Sequence, residues 1–270
     1  AIDSSGRIIF TGSIVGTVAP DAAIVGRLTS NGQLDTTFGN QGYFIDELGG
    51  DPQLTSIALR ANGNLVAVGS YIDSTPEATK SILVVCLNSS GGFDTECSPN
   101  GWGYFAERTV DAVTKSVAIT EDGFIILGGT TFPISEGPAN PFVMRLDHTA
   151  NPDTSFAYYG IWTSSDLSGY IHSVTVQSDG RIIAAGEIVV QGINHLGVVR
   201  LANTVTITTT TTIAPTTTIA PLITTTTVPT TTIAPEQLPA TGSQFDSLTM
   251  ALLLTALGSI VVVARRRTSH

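Results

Sequence analysis

The stretch that decides the fold is DGRIIAAG at residues 179–186, a turn followed by an apolar run and a glycine. The same arrangement occurs three more times, as SGRIIFTG at 5–12, NGNLVAVG at 62–69 and DGFIILGG at 122–129. The closing glycines are separated by 57, 60 and 57 residues. A fixed period of this length indicates a repeat architecture, in which each unit is one small structural element that stacks on the next.

Two further blocks follow the turn block in the first three units, and one follows it in the fourth. The second block ends in Leu and is GRL at 26–28, VCL at 85–87, MRL at 144–146 and VRL at 199–201. The third block carries an Asp before a bulkier residue and is LDTTFG at 34–39, FDTECS at 93–98 and PDTSFA at 152–157. The fourth unit ends before its third block. Several spaced blocks that recur together make the repeat of about 58 residues specific.

Each unit is predicted to contain four short strands, which in the second unit are 54–60, 64–71, 81–87 and 101–106. Asn-Gly or Asp-Gly between apolar runs predicts a type I′ turn, with positive φ at both residues, between the first two strands. The second strands are almost wholly apolar, which predicts burial on both faces. The expected fold class is therefore all-β, a partial β-propeller-like array of four-stranded repeats over residues 1–203.

These blocks resemble the delta-sixty repeats of bacterial surface and secreted proteins, whose pattern runs DG(K/R)I(L/V)(V/A)AG, then ARL, then LDxxFGxxG. The match is best at 179–186 and at 34–42, whereas Ser5 and Asn62 replace the turn Asp, and Cys97-Ser98 replaces Phe-Gly. The resemblance implies a propeller-like fold and no shared enzymatic activity. Three and a half units cannot close a ring, so we expect further blades and an export signal before Ala1; the alternative is an open stack.

The repeat region is acidic, with nine Lys and Arg against twenty Asp and Glu in residues 1–203. Such a surface repels phosphate backbones, which argues against binding of nucleic acid through a basic patch. The four histidines lie outside zinc-ligand spacings, and the sequence has no Walker A, nucleophile-elbow or dinucleotide motif. We therefore predict no catalytic residue, no metal site, no cofactor and no enzymatic activity.

One Asp recurs in each third block, as Asp35, Asp94 and Asp153. These carboxylates could form a calcium or catalytic series. The favoured interpretation is that each Asp caps its own turn by accepting nearby backbone N–H groups. A single active site needs one constellation, whereas residues that serve the fold recur in every unit.

The two ends of the repeated meander differ in sequence. The repeated turns and the third blocks fall at one end, and connections that differ between units fall at the other, here called the variable-loop end. Variable loops on a rigid scaffold are where binding commonly resides. The alternative is relaxed constraint on these loops, which would produce the same variation. The candidate binding residues at this end are Tyr71, Asp73, Phe132, Glu136 and His195.

Two cysteines replace residues of the repeat within a single unit. Cys86 stands where the other units have Arg27, Arg145 and Arg200, and Cys97 stands where the comparable units have Phe38 and Phe156. This paired change is expected if the Arg and Phe side chains touch in an ordinary unit and a disulfide replaces that contact. The alternative is two unrelated buried thiols.

Residues 204–237 form a Thr-rich and Pro-rich segment in which half of the 34 residues are Thr and TIAP occurs at 212–215, 218–221 and 232–235. No apolar face recurs, so this segment is predicted to be a disordered, extended stalk.

The last segment, 238–270, contains the pentapeptide Leu238, Pro239, Ala240, Thr241 and Gly242, the apolar run 248–264, and the basic cluster Arg265, Arg266 and Arg267. This ordered trio is similar to the sortase sorting signal of Gram-positive bacteria. Seventeen residues make about 26 Å of helix, enough for one transmembrane helix that the arginines stop on the cytoplasmic side. The alternative is a plain membrane anchor that sortase does not process.

The sequence therefore predicts a protein displayed on the cell surface, either wall-anchored or held in the plasma membrane with its repeats outside. The expected partners are sortase, peptidoglycan, the membrane before processing, and an extracellular ligand. The favoured function is binding, adhesion or scaffolding. The alternative is an extracellular hydrolytic propeller enzyme, for example a carbohydrate-active one, with its site on the variable-loop face or in upstream blades, and a third is a passive spacer.

Overall fold

The computed structural model describes residues 1–15, 21–73, 79–105, 110–164, 167–190, 192–202, 249–254 and 260–265. These residues form strands, turns and irregular connections, and the described part of the chain contains no helix. The prediction of an all-β, propeller-like array is therefore confirmed.

The strands form four antiparallel meanders that follow one another in chain order. The first sheet contains β1 (Ile8–Ile14), β2 (Ala22–Leu28) and β3 (Tyr43–Asp46). The second contains β4 (Gly50–Leu59), β5 (Leu65–Asp73), β6 (Ser81–Leu87) and β7 (Trp102–Phe105). The third contains β8 (Val110–Ile119), β9 (Ile125–Pro133), β10 (Asn140–Leu146) and β11 (Ile161–Thr163). The fourth begins with β12 (Ser168–Val176), β13 (Ile182–Val190) and β14 (Ile193–Leu201).

Two C-terminal strands, β15 (Thr249–Leu254) and β16 (Ile260–Arg265), extend the fourth sheet, with β16 paired to β14. This conformation differs from the transmembrane helix predicted over 248–264. The free edge of β14 presents unpaired backbone groups, and a run rich in valine readily pairs with such an edge in the absence of a bilayer. Among the described residues, none lies in a helix of the length and apolarity that crossing a membrane requires.

The hairpin turns differ from the predicted type I′ geometry. In the second sheet, Gly63 N–H donates to the Arg60 carbonyl and Arg60 N–H donates to the Asn64 carbonyl, and Gly63 has φ +82°. Asn62 does not share the positive φ; its side-chain oxygen accepts the Asn64 N–H instead. A short polar side chain that bonds the backbone two residues later stabilises this turn without left-handed geometry at both positions. Only the glycine is left-handed.

The glycine that closes the turn block is required by a close backbone approach in the second, third and fourth units, whereas an added Cβ at Gly12 of the first unit would meet nothing closer than 3.8 Å. A Cβ atom at Gly69 would lie 1.8 Å from the Gln53 carbonyl oxygen, and one at Gly186 would lie 1.8 Å from the Tyr170 carbonyl oxygen. In each case the nearby oxygen belongs to the first strand of the same sheet. In these three units the glycine is therefore required by contact between the first and second strands.

Three hydrophobic layers lie between consecutive sheets. The second sheet is buried on both faces: Leu65 and Ala67 contribute to the layer shared with the first sheet, and Val66 and Val68 to the layer shared with the third. All seven residues of β6 are buried. The unbroken apolar runs of the sequence thus correspond to strands that neighbouring sheets cover on both sides.

Serine side chains also connect consecutive sheets. Ser56 Oγ accepts the Val117 N–H at 3.2 Å, and Ser116 Oγ accepts the Val174 N–H at 3.1 Å. Both serines follow an irregularity in strand register, between Leu54 and Ser56 in β4 and between Thr114 and Ser116 in β8. A bulge re-aims the side chain that follows it, and here it directs a hydroxyl towards the next sheet.

The turn glycines generate a testable expectation. Gly180 has φ +80°, so Gly180→Val places a β-branched residue in the left-handed region and should lower the free energy of unfolding by about 1–3 kcal/mol. Gly103 in β7 is the matched control, because an added Cβ there meets nothing within 4 Å and its φ is not left-handed. Denaturant unfolding of both variants measures the difference. A Gly180→Val protein as stable as Gly103→Val would contradict the turn geometry.

Candidate functional site

The first unit contains a buried arginine clamp, defined here as the Arg of the second block together with the Asp and Phe of the third. Arg27 donates through Nε to Asp35 Oδ2 at 2.8 Å, and its guanidinium carbon lies 4.7 Å from the centroid of the Phe38 ring. Arg27 also donates to the Ser89 carbonyl of the second sheet at 2.6 Å. The clamp therefore holds the third block onto its own sheet and contacts the next sheet.

The third unit repeats this clamp. Arg145 donates through Nε to Asp153 Oδ2 at 2.9 Å, and its guanidinium carbon lies 5.0 Å from the Phe156 ring and 4.8 Å from the Phe124 ring. Arg145 Nη2 also donates to Ser155 Oγ at 2.9 Å. A planar guanidinium can pair with a carboxylate through its edge while its face covers an aromatic ring.

The recurring aspartates are engaged in turns and ion pairs. Thr37 N–H donates to Asp35 Oδ1, and a side-chain hydrogen bond from Thr37, with Arg27 beside the carboxyl, lowers the pKa of Asp35. Burial acts to raise the pKa of Asp153, but hydrogen bonds from Ser155 and the charge of Arg145 outweigh it, so that pKa is lowered as well. Within the described ranges, no group of three or more His, Cys, Asp or Glu side chains could hold a metal ion.

The second unit replaces the clamp with a covalent bond. Cys86 and Cys97 form a disulfide with a Cα–Cα distance of 6.0 Å, and both residues are buried. Asp94 remains, with its Oδ1 accepting the N–H of Glu96 and its Oδ2 accepting from Asn64. The disulfide therefore connects the same two blocks that Arg and Phe connect in the neighbouring units.

Arg60 supplies a guanidinium near the position that the clamp has lost. Its Nη2 donates to Cys97 Sγ at 3.0 Å and its Nη1 donates to the His148 carbonyl at 2.9 Å, while its buried Nε has no hydrogen-bond partner among the described residues. Burial lowers the pKa of Arg60, and the charges of Asp94 and Asp147 act in the opposite direction. Arg60 is not among the residues predicted from the sequence, because it precedes the turn block, whereas the clamp arginine of the other units lies in the second block.

The fourth unit presents its second-block arginine without a third block. Arg200 is exposed, whereas Arg27 and Arg145 are buried. The charge of Arg200 acts on Asp179 in the turn block. The pKa of Asp179 is lowered mainly by hydrogen bonds from Arg181, and the charge of Arg200 lowers it further. The clamp thus requires the third block and not the arginine alone.

The structure places the turn blocks and the connections between third and fourth strands at one end of each of the first three sheets. In the second sheet Leu65 is opposite Leu87 at this turn end, and Tyr71 is opposite Ser81 at the variable-loop end. A cleft of about 490 Å³ opens between the first and second sheets at the turn end. Arg7 and Arg27, which line this cleft, are already paired with Asp3 and Asp35.

Tyr71 is a wrong prediction as an exposed binding residue. It is only 4% exposed, its hydroxyl donates to the Leu48 carbonyl, and its ring stacks on Tyr104 with centroids 4.9 Å apart. The ring of Trp102 also contacts Tyr71, with 5.5 Å between the two ring centroids. The side chain at the end of β5 turns into the layer between two sheets, because aromatic residues of β7 are available there to cover it.

The other candidate residues at the variable-loop end have different environments. Phe132 at the end of β9 is 36% exposed, and Glu136 in the following loop is exposed. His195 in β14 is opposite Ile188 and is half-buried. Asp73 is the last residue of β5, and its side chain lies outside the described residues. Only Phe132 of this set belongs to a described side-chain cluster.

That cluster, here called the Tyr170 cluster, contains Phe132, Tyr170, His172, Glu187 and Asn194. Its rings follow one another, with 6.1 Å between the centroids of Phe132 and Tyr170 and 6.4 Å between those of Tyr170 and His172. His172 Nε2 lies 3.5 Å from Glu187 Oε1, and Asn194 Nδ2 donates to Glu187 Oε2 at 3.0 Å. The structure thus joins side chains from β9, β12, β13 and β14.

Sequence analysis missed four of these five residues, although the repeat contained a signal. Gln53 and Val113 stand where the fourth unit has Tyr170, and the buried residues Ser70 and Thr130 stand where it has Glu187. Tyr170 and Glu187 are opposite each other on paired strands, and both differ from their counterparts in the second and third units. This double difference is the signal in the sequence that points to the Tyr170 cluster.

The sorting-signal residues 238–242 and the basic residues Arg266 and Arg267 lie outside the described residues. Arg265 is the last residue of β16.

Stacked four-stranded meanders with a repeated clamp define a β-propeller-like repeat protein. In agreement, a family model described as a beta-propeller domain of unknown function matches residues 4–38 and 177–204, which cover parts of the first and fourth units. A search of curated proteins finds no match.

Removal of one clamp arginine should be strongly destabilising. Arg27→Met removes the close charge partner of the buried Asp35 carboxylate and leaves only Arg7 Nη1 at 3.9 Å, so it should cost up to about 3–5 kcal/mol of unfolding free energy. The control is Arg181→Met, because the Arg181–Asp179 pair is about half exposed and solvent screening should make its contribution to stability much smaller than that of the buried pair. Chemical denaturation of both variants tests this. Equal effects would show that the buried clamp does not orient the third block.

The disulfide and the clamp should be interchangeable. The Cys86→Ala/Cys97→Ala protein should lose about 3 kcal/mol, because a loop with a sequence separation of 11 is no longer closed. The Cys86→Arg/Cys97→Phe protein should recover part of that loss through Asp94, and its unfolding should not respond to reductant. Unfolding with and without dithiothreitol measures both effects. If the Arg/Phe variant is no more stable than the Ala/Ala variant, the two devices are not equivalent.

Proposed function

We propose that this chain is a surface-displayed binding or adhesion protein that sortase attaches to the cell wall. The observation that carries the proposal is the order of three features within the last segment: the pentapeptide 238–242, the apolar run 248–264 and the arginines 265–267. Each feature alone is common, but a cleavage motif, a membrane span and a basic stop in this order are what attachment to the cell wall by sortase requires.

The chemistry proposed at the pentapeptide is acyl transfer. A sortase thiolate would attack the Thr241 carbonyl, the bond between Thr241 and Gly242 would break, and the amine of Gly242 would leave with a proton. The resulting thioester would then be attacked by an amine of the cell wall, which forms an amide with Thr241 and releases the thiol. The protein is the substrate in both steps, and its own residues provide the recognised sequence.

The apolar run would hold the chain in the membrane until that transfer occurs. A segment inside a bilayer must satisfy its backbone groups internally, so in lipid the run 248–264 would form a helix in place of the strand pairing that β16 makes at the edge of β14. The three arginines favour a cytoplasmic position for the tail, and the repeats then lie outside.

Features of the repeat region support an extracellular location. The disulfide between Cys86 and Cys97 suits an oxidising compartment, because thiols in the cytosol are kept reduced. The Thr-rich segment 204–237 separates the sheets from the sorting signal and could reach on the order of 100 Å if fully extended. Rigid stacked sheets on such a spacer would present the variable-loop end, the proposed binding face, beyond the wall.

The sorting proposal predicts that Thr241 becomes the last residue of the wall-bound protein. The Thr241→Ala variant should disappear from the covalent wall fraction and accumulate in the membrane fraction, since the acyl donor is changed. Ala240→Ser is the matched control, because the resemblance leaves this position free, and it should be anchored normally. Muramidase digestion followed by mass spectrometry of the released fragments measures both outcomes.

Intact protein that ends at His270 in the membrane, together with equal behaviour of the two variants, would remove the sortase proposal. A plain membrane anchor would then remain.

A further inference from the structure

The Tyr170 cluster combines aromatic surface with hydrogen-bonding groups on accessible side chains. The side chains of His172 and Glu187 are 52% and 45% exposed, and Phe132 is 36% exposed. Tyr170 lies between the rings of Phe132 and His172, and the His172 ring is inclined by only 6° to that of Tyr170. A ligand that reaches this surface meets ring faces and polar atoms within one row of side chains.

The contacts within the cluster orient its polar groups. Glu187 receives the Asn194 amide at one carboxylate oxygen and faces His172 at the other. Asn194 keeps its carbonyl oxygen and a second N–H for a ligand, and the imidazole of His172 keeps its Nδ1. Glu187 is therefore a positioning residue, and the groups that it positions are a donor–acceptor amide and an imidazole.

The charges of the cluster favour a neutral ligand. A cation at Glu187 would have to displace the Asn194 amide from one carboxylate oxygen and compete with His172, 3.5 Å from the other. An anion would be repelled by that same carboxylate and by the acidic chain, whose net charge is −10. Ring faces beside a neutral amide and an imidazole suit a molecule with an apolar face and several hydroxyl groups.

We propose that the Tyr170 cluster is a binding site for neutral carbohydrate, with a sugar ring packed on Tyr170 and its hydroxyls bonded to Asn194 and His172. This inference deepens the proposed function, on which it rests, by naming the ligand class of the displayed binding face. It places the site in the fourth sheet, at the variable-loop end.

The position of the site agrees with the way in which the fourth unit departs from the repeat. Ser70 and Thr130, at the places that correspond to Glu187, are 2% and 3% exposed and lie within the stack. At the fourth sheet the same place holds a carboxylate that reaches solvent. Ser13, the counterpart in the first sheet, is also exposed, so exposure alone follows from the outermost position of a sheet. What distinguishes the fourth unit is that a charged residue replaces the hydroxyl and that its partner on the adjacent strand, Tyr170, differs as well.

The test uses the purified full chain in an amine-oxide detergent, because detergents with sugar headgroups would compete. The probes are neutral oligosaccharides of glucose in α-1,4 and β-1,4 linkage, of N-acetylglucosamine, of mannose and of xylose; polylysine and polygalacturonate are the charged comparisons. Titration calorimetry should detect saturable binding of at least one neutral oligosaccharide. Tyr170→Ala should weaken it by about tenfold, and His172→Ala and Glu187→Gln by smaller factors.

Tyr158→Ala is the matched control. Tyr158 is 78% exposed and pairs edge-on with Tyr159 at the opposite end of the third sheet, so its removal should leave the affinity unchanged. The thermal midpoint of each variant establishes that it is folded, and His172→Ala, which changes an exposed side chain, keeps the test valid if Tyr170→Ala unfolds.

Three results would overturn the inference: no saturable binding of any neutral oligosaccharide, binding that Tyr170→Ala and His172→Ala leave unchanged, or preferential binding of polylysine or polygalacturonate. The attachment of Thr241 to the cell wall is measured independently of these results. Failure of the carbohydrate site can therefore be distinguished from failure of the proposed function.

Discussion

The constraint on which this structure depends is that its sheets are apolar on both faces. A strand such as β6, buried at all seven positions, can be stable only if a neighbouring sheet covers each side. Stacking in chain order meets this requirement, because each connection from a fourth strand to the next first strand is short. The outer faces of the first and fourth sheets retain exposed apolar residues, of which Phe10 and Leu196 are 37% and 63% exposed.

Within each sheet the clamp fixes the segment between the third and fourth strands. A buried ion pair gains little net free energy over apolar packing, because both partners lose their hydration. Its value here is geometric, since Asp35 closes a turn with one oxygen and pairs Arg27 with the other. The second unit shows that a covalent bond between the same blocks satisfies the same geometric requirement, with Arg60 approaching Cys97.

The two ends of the stack differ in sequence and in side-chain contacts. At the turn end the left-handed glycine recurs in all four units, and the clamp occurs in the first and third units with the disulfide in its place in the second. At the variable-loop end the chain is not held to that pattern, and the Tyr170 cluster gathers aromatic, amide and carboxylate groups from adjacent strands. Under the proposed function, residues 204–242 would hold this end away from the cell.

The sequence by itself determined the repeat, the all-β class, the strand order within a unit and the contact between the second-block Arg and the third-block Phe. These follow from local periodicity and from comparison of equivalent positions, which one chain with four units provides internally. Only the tertiary structure decided that Tyr71 is buried, that Arg60 approaches the disulfide and that Tyr170 lies between Phe132 and His172. The physical reason is that burial and side-chain contact depend on which residues of the neighbouring strands and sheets face a given position, and the period of a single strand carries no information about them.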